Sequence, residues 1–152
     1  SRGLGDVYKR QIIDSTTFAV SRDELKPALT GVFFQTTEKG IVAVSTDGHR
    51  LVKHFRTDHQ TNNISSGVVV PKKFLTYLST HLKEDNVDLV LAETHLTAKM
   101  GPDVVLTRII DEKFPNYESV IPKSNDKKFI VDKESLLGAI KRVSIFGIYK
   151  SD

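Results

Sequence analysis

The 152-residue sequence contains no cysteine, and no stretch of it approaches the roughly 18 consecutive apolar residues of a membrane-spanning helix. Without cysteine there is neither a disulfide framework nor a thiolate nucleophile, so the composition fits a reducing, cytoplasmic setting. The apolar core of a signal peptide is also missing from the N-terminus. These absences exclude disulfide-stabilised domains and cysteine-dependent enzymes, and we expect no membrane partner.

Motifs for catalysis and metal binding are scarce as well. The sequence has neither a Gly-x-Ser-x-Gly elbow nor a glycine loop for phosphate, and its five histidines do not reach the paired spacing of a helix-borne zinc site. We therefore predict no catalytic residue, no metal and no cofactor. The enzymatic alternative is acid–base chemistry by Asp47, His49 and Arg50, although these residues lack a third group and a substrate cradle.

The composition is that of a globular domain, because 39% of the residues are hydrophobic and 27% are charged. The length predicts one domain, or one domain and a piece of another. With 22 basic and 19 acidic side chains the net charge is +3, a surplus too small to indicate a nucleic-acid partner by itself. The distribution of the charges along the chain is more informative.

Hydrophobic periodicity predicts two passes of one β-α-β-β-β unit, the first without its opening strand. The first pass begins with the end of an amphipathic helix at Ile12. The predicted strands are residues 29–36, 41–46 and 51–55 in the first pass, and 67–70, 87–91, 96–100 and 104–110 in the second. An extended linker, 111–122, leads to a strand over 128–131 and a helix with Asp132 as its N-cap, which begin a further unit. The repeat favours an α+β fold, because both passes obey it.

The helix predicted between Pro71 and about Lys83 has two different faces. Its core stripe, about 100° wide, consists of Phe74, Leu75, Leu78 and Leu82. Lysines and hydroxyl side chains occupy the other side, and no carboxylate occurs between Pro71 and Lys83, whereas solvated helices usually mix charges of both signs. Such a face attracts phosphates without reading bases. An ordinary solvated face is the alternative.

A second informative feature is the turn in the segment TDGHRL, residues 46–51. Asp47 and Gly48 are typical turn formers. They are followed by two side chains with hydrogen-bond donors, His49 and Arg50, and then by an aliphatic residue. Donors and an apolar contact within a few residues suit the capture of a short peptide. A plain hairpin with an exposed His-Arg pair is an alternative that the sequence leaves open.

Three motifs together resemble one protein family. They are STDGHRL (45–51), VPKK (70–73), and RIID (108–111) followed by FPNY (114–117) and VIP (120–122). Their order and spacing match the middle domain of the bacterial DNA polymerase III beta subunit, the sliding clamp. The resemblance implies four segments, which are a non-homologous leader (1–11), an N-terminally truncated middle domain (12–122), the opening strand and helix of the third domain (123–146), and a non-homologous tail (147–152).

Clamps of this family are head-to-tail homodimeric rings with three similar domains per subunit, each made of two β-α-β-β-β units. Their helices line a central hole around duplex DNA, and their sheets lie outside. The resemblance therefore implies a DNA-clamp (processivity) fold with helices on one face of antiparallel sheets. It also implies a non-enzymatic processivity factor that holds double-stranded DNA without reading its sequence, in the bacterial cytoplasm at the nucleoid. The ring-forming surfaces belong to the first and third domains, so we do not expect this chain to close a ring.

The resemblance also assigns residues to two sites. Those expected to face DNA in the central hole are Lys26, Lys72, Lys73, Thr76, Ser79, Lys83, Lys141 and Arg142. Those expected to form the middle-domain wall of a peptide pocket are Leu29, Thr46, Gly48, His49, Arg50, Leu51, Pro115 and Val120.

In the family this pocket lies between the middle and third domains. It docks short motifs of the DNA polymerase III alpha subunit, the clamp loader and repair proteins. Ser119 departs from the family pattern, because many relatives carry a basic residue at that position. A β-rich peptide-binding module unrelated to DNA is the remaining alternative.

Overall fold

The computed structural model describes the backbone of residues 2–57, 67–82 and 87–148, and the statements below concern those residues. The chain divides into two compact units, residues 1–115 and 116–152, which are described separately. Within the described residues, no helix combines the length and the apolar character needed to cross a membrane.

Seven strands and two long helices make up the described part of the first unit. The helices are α1 (Arg2–Thr17) and α2 (Lys72–His81), and a short 3-10 helix covers Pro27–Thr30. The strands are β1 (Gly31–Thr37), β2 (Gly40–Thr46), β3 (Leu51–Arg56), β4 (Val68–Pro71), β5 (Val87–Leu91), β6 (His95–Met100) and β7 (Asp103–Arg108). In chain order they form α1-β1-β2-β3 and then β4-α2-β5-β6-β7. This order confirms the two predicted passes, with no strand before α1 in the described residues.

The strands form two antiparallel sheets, one in the order β3-β2-β1-β4 and the other in the order β5-β6-β7. One backbone bridge joins β4 to the segment that follows β7, where the N–H of Ile110 donates to the carbonyl oxygen of Val69 at 2.9 Å. The second pass therefore begins within the first sheet, at β4, and ends beside that strand.

Both helices pack against the same side of the first sheet, because their apolar side chains enter one core cluster with it. The cluster includes Ile12, Ile13, Val32, Ala43, Val70, Phe74, Leu75, Leu78, Leu82, Leu96 and Ala98. The fully buried hydroxyl of Ser45 donates to the carbonyl oxygen of Thr16 at 2.6 Å, which ties β2 to the end of α1. We call the other side of this sheet the outer face. By strand alternation it carries Phe33, Val44, Thr46 and Leu51.

The sequence before Ile12 shows no helical periodicity, yet α1 begins at Arg2. The missing apolar periodicity has a physical explanation. The ammonium group of Lys9 donates to a carbonyl oxygen at the start of β5 at 3.5 Å, and the guanidinium of Arg10 contacts the carbonyl oxygen of Leu82. Long basic side chains therefore attach this part of the helix to its neighbours, as apolar side chains do further along.

Two prolines shift the predicted element boundaries. Pro27 opens the 3-10 helix that contains Leu29, so Leu29 precedes β1 and does not belong to it. Pro71, predicted as the first helical residue, is the last residue of β4 and the N-cap of α2, with φ −58° and ψ 139°. The helix ends at His81, and its predicted last residue, Lys83, lies outside the described residues.

The second unit contains a 3-10 helix (Tyr117–Ser119) and α3 (Lys133–Ile148). Asp132 is confirmed as the N-cap of α3, since its carboxylate accepts the backbone N–H and the hydroxyl of Ser135 at 2.9 and 3.0 Å. These hydrogen bonds lower the pKa of Asp132. The cap therefore holds the start of α3 with a charged acceptor.

The strand predicted over residues 128–131 is not formed, and the side chains of Phe129 and Ile130 are 85% and 91% exposed. A strand needs a neighbour to satisfy its backbone hydrogen bonds. None of the described residues of the second unit forms a strand, so this apolar segment has no strand to pair with among them.

Candidate functional site

The turn between β2 and β3 is braced by one carboxylate. Asp47 Oδ1 accepts the backbone N–H groups of His49 and Arg50 at 2.9 and 3.0 Å, and Oδ2 accepts Nε–H of Arg50 at 3.0 Å. The backbone hydrogen bonds from His49 and Arg50 lower the pKa of Asp47 to about 2. Both carboxylate oxygens are thus occupied in holding the turn, and this arrangement contradicts the alternative in which Asp47 orients the His49 imidazole for acid–base chemistry.

Thr46 and Gly48 complete the turn. The hydroxyl of Thr46 donates to the carbonyl oxygen of Arg50 at 2.7 Å and accepts the N–H of Gly48 at 3.1 Å. Gly48 has φ +91°, a conformation that side chains disfavour, and a Cβ there would meet nothing within 4 Å. Glycine is therefore required by the backbone angle and not by crowding. The result is a rigid loop that presents His49 and Arg50 to solvent.

Phe18, in the segment that follows α1, contacts this turn. The Cζ atom of Arg50 lies 5.5 Å from the centroid of the Phe18 ring, within the range of a cation–π interaction, and 54% of the Phe18 side chain is exposed. No sequence signal connects Phe18 to a residue of the β2–β3 hairpin. The contact arises from the packing of α1 against β2 and β3.

Two of the apolar residues assigned to the pocket, Leu29 and Leu51, lie at the same end of the first sheet. β1 begins where the antiparallel β2 ends, so Leu29, just before β1, lies at the end that carries the turn. Leu51 is paired with Thr46 and shares its outer face. The Phe114 ring stacks on Phe33 of that face with 5.0 Å between centroids, and Pro115 follows Phe114 in the chain.

The exposure of these apolar residues differs. Leu29 is buried and can serve only as a floor, whereas Leu51 is half-buried and Pro115 is exposed. Val120, the last residue of the predicted pocket wall, belongs to the second unit, where it is 65% exposed. The structure therefore brings seven of the eight predicted pocket residues to one unit and leaves Val120 in the other.

The two predicted faces of α2 are present. Phe74, Leu75 and Leu78 are buried, while Lys73 and Thr76 are exposed. Lys72 and Ser79, also assigned to this face, are half-buried, and Lys83 lies outside the described residues.

The surface around α2 is not free of acidic groups, although the helix itself is. Asp14 of α1 lies beside it, and the hydroxyl of Ser79 donates to Asp14 Oδ1 at 2.6 Å. The expectation of a purely cationic and hydroxylic surface therefore holds for α2 alone and is wrong for the surface that α2 shares with α1. The prediction considered one helix, and the packing of two helices decides the local charge.

The remaining predicted DNA-facing residues are not on α2. Lys26 is exposed and directly precedes the 3-10 helix of Leu29, at the end of the sheet that carries the turn. Lys141 and Arg142 are exposed on α3 of the second unit. Among the residues with described side chains, no three histidine, aspartate or glutamate groups come together to hold a metal.

Comparison with known proteins places this geometry in context. Residues 6–116 match the sequence profile described as DNA polymerase III beta subunit, central domain. The beta sliding clamp of Pseudomonas putida is 33% identical over 138 residues, which cover 90% of this chain and 38% of the relative. The chain therefore spans about 38% of the length of this curated relative.

Solved structures give the same result. A sliding clamp from Pseudomonas aeruginosa, described as bound to griselimycin, is 30% identical with a TM-score of 0.77, covering 92% of this chain and 38% of that one. A sliding clamp from Bartonella birtlesii, also bound to griselimycin, is 29% identical with a TM-score of 0.75, covering 90% and 38%. The fold and the sequence thus resemble the same group of proteins.

Proposed function

Since the chain belongs to the family of the DNA polymerase III beta subunit, whose central domain it carries, we propose that it is part of a sliding clamp. In this proposal it has no catalytic role. It contributes to a homodimeric ring of three-domain subunits that encircles double-stranded DNA in the bacterial cytoplasm, at the nucleoid, and makes the replicative polymerase processive. Residues 12–122 belong to the central domain and residues 123–146 begin the third.

The charge distribution of α2 supports a face for DNA. Lys72 and Lys73 occupy the first turn of the helix, which contains no acidic residue. Cations at the positive end of a helix dipole weaken the helix. The two lysines therefore lower the stability of α2, and the fold itself does not require them there. The lysines and the helix terminus together create a positive potential, which attracts phosphates of any sequence. In the proposed clamp, Lys26, Lys141 and Arg142 add to this potential.

The braced turn between β2 and β3 carries the docking proposal. A single carboxylate, Asp47, fixes the backbone from which His49 and Arg50 extend, and Leu51 lies next to them on the outer face. Fixed donors beside an apolar contact are suited to an extended peptide, because little conformational entropy is lost when it binds. The proposed occupants are short motifs of the DNA polymerase III alpha subunit, the clamp loader and repair proteins.

Griselimycin is a suitable probe for this site, because the clamps from Pseudomonas aeruginosa and Bartonella birtlesii were crystallised with it. We propose to titrate it into the isotope-labelled 152-residue chain and to follow backbone amide signals by NMR. The expected result is saturable shifts concentrated in residues 46–51 and near Pro115. Leu51→Ala should weaken binding about fivefold or more, the loss typical of an apolar residue at the centre of an interface.

Leu106→Ala provides the matched control, because Leu106 is an exposed leucine of the second sheet, 60% accessible, far along the chain from the turn. This variant should bind like the parent. Identical titration curves for Leu51→Ala and the parent, or shifts confined to residues outside the turn, would contradict the docking proposal.

A further inference from the structure

Arg50 is held from two sides by residues of different segments. Asp47, in the turn, accepts its Nε–H at 3.0 Å, and the Phe18 ring, after α1, lies 5.5 Å from its Cζ atom. A guanidinium has N–H donors on three nitrogens. The contact with Asp47 uses Nε and leaves the donors on both Nη atoms, and the Arg50 side chain is 58% exposed.

The position of Phe18 is itself well determined. The N–H groups of Ala19 and Val20 donate to the last carbonyl groups of α1, at 3.2 and 3.4 Å. Both side chains are buried, at 0% and 5% exposure, so they anchor the chain directly after Phe18. The backbone of Phe18 is thus held between the helix end and these anchors, and 54% of the residue is exposed next to the turn.

A long exposed arginine normally samples many rotamers, and it loses this freedom when it binds a partner. Contact with an aromatic ring on an anchored backbone segment, and with the turn carboxylate on another side, reduces that loss before binding occurs. Electrostatic attraction between the ring face and the guanidinium also favours one orientation of the Arg50 side chain. An aliphatic side chain at position 18 could pack against Arg50, but it would lack the electrostatic attraction of an aromatic ring.

We propose that Phe18 is a positioning residue for partner docking, which orients the Arg50 guanidinium so that its Nη donors meet a carbonyl or carboxylate oxygen of the bound peptide. This inference rests on the docking function proposed above. It adds to the predicted pocket a residue that does not belong to the hairpin carrying the donors. Because Phe18 is largely exposed, its replacement should leave the core of the first unit intact.

The test compares Phe18→Leu and Phe18→Tyr with the parent by two measurements. The first requires no ligand, because a nearby aromatic ring shifts the proton signals of the Arg50 side chain. We expect those signals to move in Phe18→Leu and to remain in place in Phe18→Tyr. The second is griselimycin affinity, for which we expect about a threefold loss in Phe18→Leu and recovery in Phe18→Tyr. Phe55→Leu is the control, since Phe55 is an exposed phenylalanine at the far end of β3.

The outcomes separate this inference from the docking proposal. Unchanged Arg50 signals in Phe18→Leu would overturn the contact itself, whether or not any ligand binds. Parent-like affinity of Phe18→Leu, or a loss that Phe18→Tyr does not recover, would overturn the positioning role while the docking site stands. If griselimycin does not bind the parent chain at all, the docking proposal fails, and the positioning role fails with it even where the ring contact is observed.

Discussion

Replacement of Lys72 and Lys73 by alanine tests whether α2 faces DNA, and the structure indicates how large the effect should be. Both lysines stand in the first turn of α2, beside the positive end of the helix dipole. If each neutralises one phosphate, removing both lowers the slope of log affinity against log salt by about 1.8. Between about 50 and 200 mM salt, this slope difference changes the ratio of the two affinities about twelvefold.

The assay is fluorescence anisotropy of a labelled duplex with the 152-residue chain, repeated with a second duplex of unrelated sequence. We expect weak binding that is equal for the two sequences and steeply dependent on salt. The double variant should bind much less at low salt and approach the parent at high salt. Lys39→Ala combined with Lys99→Ala removes the same total charge from exposed positions elsewhere, in the β1–β2 turn and in β6, and should have a much smaller effect.

Stability provides an internal check on this prediction. Removing two cations from the positive end of a helix should leave α2 as stable as before or slightly more stable, by up to about 1 kcal/mol per lysine. A loss of DNA binding therefore cannot be attributed to unfolding if the thermal midpoint is maintained. The reasoning would be refuted by a loss of affinity of the same factor at every salt concentration, or by equal losses in the Lys39/Lys99 variant.

Three further predictions follow from single contacts. Asp14→Asn should strengthen duplex binding at low salt, because it removes the negative charge beside Ser79, whereas Asp103→Asn at the start of β7 should not. Equal duplex affinities of the two variants would contradict a role for the surface that α1 and α2 share. Ser45→Ala should destabilise the first unit by about 1 kcal/mol and lower its thermal midpoint by about 4 °C. The loss of stability is small for a buried hydrogen bond because the carbonyl of Thr16 keeps a second donor, and an unchanged midpoint would contradict the prediction. Because the pKa of Asp47 is lowered, its carboxylate stabilises the turn at pH values above the ordinary pKa of 3.8, and this contribution is lost as the pH falls through about 2. An NMR titration of the Asp47 carboxyl carbon with a midpoint near 3.8 would refute this.

Features with local causes could be predicted from the sequence. The core stripe of α2 is visible because Phe74, Leu75 and Leu78 recur with the period of a helix, and all three are buried. The turn at Asp47 and Gly48 is similarly predictable, since a carboxylate that accepts nearby N–H groups and a residue with positive φ are both local requirements. The order of the strands followed from the same alternation, and the resemblance to one family supplied the site residues.

Features that depend on a distant partner could not be predicted. Lys9 and Arg10 of α1 interrupt the apolar period, and both contact carbonyl groups of the second pass. The apolar segment at 128–131 has the composition of a strand, but a strand also needs a neighbour. Phe18 and Asp14 acquire their significance only through residues of other elements, Arg50 and Ser79, and nothing in the local sequence indicates those pairs.

β5 is an edge strand of the second sheet. Among the described residues it pairs only with β6, and its Leu89 is about half exposed. An open strand edge with an apolar side chain favours pairing between chains. Self-association at the concentrations used for NMR would then make the thermal midpoint and the apparent affinities depend on protein concentration. The measurements described above should accordingly be made as dilution series, in which true ligand affinities stay constant and edge-to-edge association does not.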